Sequence, residues 1–187
     1  VPVGLELSAA AARPGDRVLV SGYLGDHGIA VLSGREGIEF DTPVASDSAP
    51  LHTLVAAMLA TGAQIRCLRD PTRGGLSSAL NEIAAQSRAG IVLEESAIPV
   101  REAVRGACEL LGFDPLYVAN EGKLVAIAAP EAAEALLEAM RAHPLGSEAR
   151  LIGTVTADHP GLVVVRTPYG TSRVADLLSG DQLPRIC

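Results

Sequence analysis

The chain has 187 residues and a formal charge of −7, with 48% apolar and 20% charged residues; this suits one domain able to bury a core and excludes a disordered or collagen-like chain. The acidic balance leaves no surplus of Arg and Lys to neutralise phosphates, which excludes a general nucleic-acid binder. Aromatics are 3% with no Trp, so the core must be built from Ala, Val, Leu and Ile.

In chain order, Arg17–Ser21 alternates and is β-branched, so it reads as a strand. It runs into a glycine-rich turn, Gly22–Gly28, before a short apolar stretch. Pro50–Ala60 has helical periodicity, with Pro in its first turn and a stop at Gly62. After Cys67–Gly75 comes an Ala/Leu helix to about Arg88 that ends at Gly90, then a short strand, Ile91–Leu93. Pro99–Leu111 reads as a helix closed by Gly112. Beyond Leu116–Lys123, the run Leu124–Ala129 is a buried-type strand and Pro130–Ala142 a strong helix. Leu151–Val155 and Leu162–Val165 read as two strands close enough to form a hairpin. A final amphipathic turn near Val174–Leu178 precedes the end of the chain at Cys187. Strands and helices mix without strict βαβ alternation, which favours a helix-covered sheet of the α+β class. The expected organisation is one compact domain, 1–172, and a C-terminal tail, 173–187.

No apolar run approaches the roughly 20 residues of a membrane helix, and the first residues lack the charged-then-apolar order of a secretory signal. The three cysteines, Cys67, Cys108 and Cys187, are odd in number and widely spaced. Neither a disulfide framework nor a Cys-x-x-Cys zinc or redox site is therefore expected, and a reducing cytoplasm is the default. The chain begins with Val rather than Met, as a piece of a longer protein would.

Three segments carry chemistry. In Asp70-Pro71-Thr72-Arg73-Gly74-Gly75, two glycines allow a tight turn and close approach of a ligand. The following helix N-terminus suits a phosphate, aided by the Thr72 hydroxyl and the Arg73 charge. The segment is not a Walker A loop, because it lacks the Gly-Lys-Ser/Thr ending, and a plain helix cap is the alternative. In Ala119-Asn120-Glu121-Gly122-Lys123, an amide, a carboxylate and the only lysine lie between apolar stretches. Glu121 could serve as a general base there if partial burial raised its pKa; the alternative is a solvated Glu–Lys turn. Cys187, on the last residue of a Pro-containing tail, is a nucleophile that forms thioester-like bonds. Arg185 favours its thiolate and the terminal carboxylate opposes it. Cys67 and Cys108 read as core. His27, between glycines and beside Asp26, reads as near a ligand, and His143 as a helix-end residue.

Leu183-Pro184-Arg185-Ile186-Cys187 resembles the C-terminus of the HypE family of hydrogenase maturation proteins. Gly25-Asp26-His27-Gly28, Leu68–Gly75, Ile98-Pro99-Val100, Cys108–Gly112, Ala119–Leu124 and His143–Gly146 are similar to the same family, in order across nearly the whole chain. That family in turn resembles aminoimidazole ribonucleotide (AIR) synthetase and selenophosphate synthetase. The resemblance implies a mixed sheet packed with helices, as in AIR synthase-related C-terminal domains, and a flexible tail. It covers only the second half of such proteins. The N-terminal domain that forms much of the ATP and Mg2+ site and the homodimer interface is expected to lie outside this chain, which alone would be inactive.

The implied activity is an ATP-dependent carbamoyl dehydratase. The carbamoyltransferase HypF would load a carbamoyl group onto Cys187, ATP would drive its dehydration to a thiocyanate, and cyanide would pass to iron on the HypC–HypD complex. Cys187 is then the carrier and Glu121 the base. Asp70, Thr72, Arg73, Gly74, Gly75 and His27 would face nucleotide or phosphate, with Lys123, Asn120 and Arg185 in support, and no metal ligand falls on the chain. Another ATP-dependent AIR synthase-like enzyme, or a non-catalytic interaction domain with a docking tail, are the competing readings.

Overall fold

The computed structural model describes residues 6–38, 40 and 42–177. Short β-branched runs form seven strands: β1 (Arg17–Val20), β2 (Ile65–Arg69), β3 (Gly90–Glu94), β4 (Val125–Ala128), β5 (Arg150–Thr156), β6 (Val163–Arg166) and β7 (Ser172–Val174). Five helices connect them: α1 (Asp26–Glu36), α2 (His52–Ala60), α3 (Gly75–Ser87), α4 (Glu102–Leu111) and α5 (Ala133–Arg141). The strands make one mixed sheet in the order β2-β4-β1-β5-β3-β6-β7, as the expected α+β class requires.

Side-chain alternation splits the sheet into two faces. Val18 and Val20 of β1, Val125 and Ile127 of β4, and Ile91 and Leu93 of β3 join Leu76, Leu80 and Ile83 of α3 in one core. Leu19, Ala126 and Ala128 point the other way, into a second core with Leu54 and Met58 of α2 and Leu136 and Met140 of α5. A third cluster, of Ile29, Val104, Ala107, Cys108 and Val118, ties α1 to α4 beside the loop that precedes β4. Among the described residues no helix is long and apolar enough to cross a membrane.

Four expectations about the elements and their pairing change. The turn Gly22–Gly28 gives way to α1 from Asp26, after Gly25 takes a left-handed cap conformation (φ 86°). Cys67 lies in a strand, β2, where the sequence reading expects none. The helix expected from Pro99 begins at Glu102, because Leu24 N–H donates to Pro99 O and Leu24 bridges Val100, holding that stretch extended. β5 and β6 form no hairpin: β3 lies between them, antiparallel to β5 and parallel to β6. The β5–β6 connection passes over the start of β3, where Gly161 N–H donates to Ala89 O and Ile91 N–H to Leu162 O. The boundary expected after residue 172 falls within β7, which pairs with β6, and Ala175 is buried. Cys187, Arg185 and the rest of the tail from 178 lie outside the described residues.

Candidate functional site

The sheet brings together two of the three chemical segments of the sequence. In the ladder, Val125 at the start of β4 stands opposite Val20 at the end of β1 and Arg69 at the end of β2. The segments 21–28, 70–75 and 116–124 therefore all leave the sheet at one end.

Asn120 knots them together. It is fully buried. Its Oδ1 accepts from Gly25 N–H (2.8 Å), and its Nδ2 donates to Pro71 O (3.0 Å) and Val118 O (2.9 Å). Its own N–H donates to Pro71 O, and Gly28 N–H donates to Ala119 O. A single side chain thus sets the cap of α1, the approach to α3 and the backbone that carries Glu121. A buried amide without partners would be costly, and these partners lie on three different segments.

Glu121 is half-buried, and its N–H donates to Asp47 Oδ1 (3.2 Å). Lys123 Nζ lies 3.0 Å from Asp47 Oδ2, with the two side chains 14% and 3% exposed. Lys123 Nζ also donates to Gly122 O. Asp47 was not singled out from the sequence, since Ala45-Ser46-Asp47-Ser48 reads as an unremarkable polar loop. The signal in retrospect is Gly122: a Cβ there would stand 1.6 Å from Asp47 O, so only glycine lets segment 46–48 lie against Glu121. Ser46 Oγ of the same segment is 2.9 Å from His27 Nδ1, which places half-buried His27 on this loop.

Asp26 extends the cluster. Arg101 Nε donates to its Oδ2 (3.1 Å), and the Arg101 guanidinium lies 4.2 Å from the centroid of the Tyr23 ring. Its Oδ1 is buried and has no hydrogen-bond partner among the described residues. Burial pushes the Asp26 carboxyl above its ordinary value, against the lowering influence of Arg101 and Lys123.

The phosphate-like motif is placed less simply. Asp70 and Arg73 are exposed, Thr72 and Gly74 half-buried, and Gly74 caps α3 with φ 67°. Gly75 was expected to let a ligand approach. Its open face is instead filled by protein: a Cβ would stand 2.5 Å from Leu116 O and 2.7 Å from Val118 O, and its N–H donates to Thr72 O. The Gly75 requirement is one of chain packing. His143 caps the turn Pro144–Gly146 rather than serving a helix end, accepting from Leu145 N–H at Nδ1 (3.1 Å). Cys67 and Cys108 are buried in the core as expected; burial raises both thiols, Cys108 to about 11.

Among the described residues no group of three or more His, Cys, Asp or Glu could hold a metal ion.

The chain is similar to known proteins over its whole length. A carbamoyl dehydratase HypE from Azotobacter vinelandii is 65% identical over the whole of this chain, which covers 55% of that protein. A crystal structure of the hydrogenase maturation protein HypE in complex with ATP superposes with a TM-score of 0.91 at 49% identity, covering 97% of this chain and 55% of that one. A HypE–HypF complex matches with a TM-score of 0.91 at 46% identity, over 95% of this chain and 58% of that one. The chain spans about half the length of the curated relatives it matches. Residues 13–165 match the model of the AIR synthase related protein C-terminal domain, and the chain belongs to that family.

Proposed function

We propose that this chain is the C-terminal domain of an ATP-dependent carbamoyl dehydratase of hydrogenase maturation, with Cys187 as carrier and Glu121 as base. The observation that carries the reading is the Asn120 knot. It presents Glu121, braced by Asp47 and Lys123, at the end of the sheet where the Asp70–Gly75 segment opens α3. The similarity to carbamoyl dehydratases over the whole chain supports the same reading.

The chemistry balances as follows. The Cys187 sulfur bears a carbamoyl group from a HypF-type carbamoyltransferase. Its carbonyl oxygen attacks the γ-phosphorus of ATP and releases ADP, which turns that oxygen into a leaving group. The first N–H proton passes to solvent as the O–P bond forms, giving an imino phosphate, and Glu121 takes the second N–H proton as the C–O bond breaks. Phosphate departs, and the sulfur is left with a nitrile carbon as a thiocyanate. General-base help of this kind is worth about 10²–10⁴-fold. Thr72 and Arg73, with the α3 N-terminus, balance the negative charge of phosphate. Asn120 anchors the backbone before Glu121, Lys123 holds the Asp47 carboxylate that accepts from Glu121 N–H, and His27 braces the 46–48 loop.

The resemblance implies that Mg2+ is held mainly by the N-terminal domain, and no step is assigned to it. The same reading places the full-length protein in the cytoplasm as a homodimer that hands cyanide to iron on a HypC–HypD complex. In the full-length protein, Glu121→Gln should still accept the carbamoyl group but convert it at least about 100-fold more slowly. Conversion at the unsubstituted rate would remove Glu121 as the base.

A further inference from the structure

The buried face of α3 is apolar apart from two residues one turn apart. Ser77 and Asn81 are 1% and 5% exposed, among Leu76, Leu80, Ile83 and Ala84. Polar groups in such a place are costly unless paired, and here the partners outside the helix are two carbonyls of the segment that follows β7. Asn81 Nδ2 donates to Ala175 O (2.7 Å) and Ser77 Oγ to Asp176 O (2.9 Å). Asn81 Nδ2 also donates to Ser77 Oγ (3.3 Å), so the two side chains act as one unit. Ala175 itself is fully buried, and its N–H donates to Val163 O on β6 (2.9 Å).

We propose that Ser77 and Asn81 form a polar clamp that fixes where the C-terminal arm leaves the domain, and that they are positioning residues for Cys187. An apolar pair would pack against α3 equally well, but it could not hold residues 175 and 176 in one register. The place is chemically specific. Ser77 is the third residue of α3, about 3 Å along the axis from Gly75, so the arm originates beside the Thr72–Gly75 turn. From Asp176 to Cys187 are 11 residues, a covalent reach of at most about 40 Å. The positioning role rests on the carrier reading of Cys187; the clamp itself does not.

The two parts are tested separately in the full-length protein. Amide hydrogen exchange would be followed in Asn81→Leu, which keeps the volume, and in the milder Ser77→Ala. The clamp predicts that protection of the Ala175 amide falls about 10- to 100-fold in Asn81→Leu, the loss of a buried hydrogen bond. A smaller fall is expected in Ser77→Ala, with β1, β4 and β5 unchanged in both. Equal protection of residues 175–177 in variant and parent would overturn the clamp. If Asn81→Leu does not fold, the Ser77→Ala result decides.

Positioning is read from single-turnover conversion of the carbamoyl group at saturating ATP. With the clamp lost and β7 still paired to β6, the arm's origin retreats from Asp176 to Val174 and its length grows from 11 to 13 residues. The effective concentration of the thiol then falls roughly 1.3-fold by the −3/2 power law. Conversion should slow by about that factor, with ATP affinity and carbamoyl loading unchanged. Lost protection with an unchanged conversion rate would overturn positioning. Failure of the unsubstituted protein to convert the group at all would overturn the carrier reading and leave the exchange result standing.

Discussion

Replacing Asn120 by Ala removes three side-chain hydrogen bonds from a fully buried position. Pro71 O keeps a partner, because the Asn120 backbone N–H still donates to it, whereas Gly25 N–H loses its acceptor at the cap of α1. An orphaned buried donor costs about 1–3 kcal/mol and each further lost bond about 1 kcal/mol, so the expected destabilisation is about 3 kcal/mol. For a domain of this size that lowers the melting temperature by about 6–12 °C. Thermal unfolding followed by circular dichroism measures it, with urea titration as a second probe. Asn120→Asp separates hydrogen bonding from packing. It keeps the volume but turns an acceptor oxygen towards the carbonyls of Pro71 and Val118, so it should be destabilised comparably. A melting point within about 2 °C of the parent for Asn120→Ala would refute the knot. An Asn120→Asp protein as stable as the parent would assign the effect to packing alone.

Gly75→Ala should cost about 2–4 kcal/mol, because the residue has φ 61° and its Cβ would meet two carbonyls under 3 Å; a loss below about 1 kcal/mol in urea would contradict the packing account. The Cys108 thiol, raised to about 11 by burial, contributes stability that is full below its ordinary value of 9.0 and is lost as pH rises towards 11. Urea midpoints measured between pH 8 and pH 11 should therefore fall less steeply in Cys108→Val than in the parent. Asp26 has the same sign in another window: its raised carboxyl gives stability that is full below 3.8 and declines as pH rises past it. Asp26→Asn should flatten the stability profile above pH 4, and an unaltered slope would show that Arg101 balances the burial.

Much of the fold was legible because its signals are local. The apolar alternation of Arg17–Val20 and the Pro-opened, Ala/Leu-rich run before Arg141 each report their own element. The order of the strands is not local: Leu151–Val155 and Leu162–Val165 look like hairpin partners, yet β3 takes both adjacent edges. Periodicity carries no information about which strand fills a gap. Site chemistry divided in the same way. Glu121, Lys123 and Asn120 stand out as polar residues between apolar runs, but Asn120 was read as a supporting residue, because its partners lie 49 and 95 positions away. Asp47 and Arg101 escaped notice for the same reason. Gly75 misled in the other direction: a glycine pair before a helix suits phosphate in sequence, while here one of the two serves the close passage of Leu116–Val118.

The central claim is that the Cys187 sulfur carries the group on which ATP acts. Peptide mass mapping of the full-length protein tests it, after incubation with the carbamoyltransferase and carbamoyl phosphate, with and without ATP, beside Cys187→Ala. The account predicts a carbamoyl adduct on the C-terminal peptide that loses one water only when ATP is present, and no adduct in the variant. An unmodified C-terminal peptide, or an adduct on Cys67 or Cys108 instead, would contradict it.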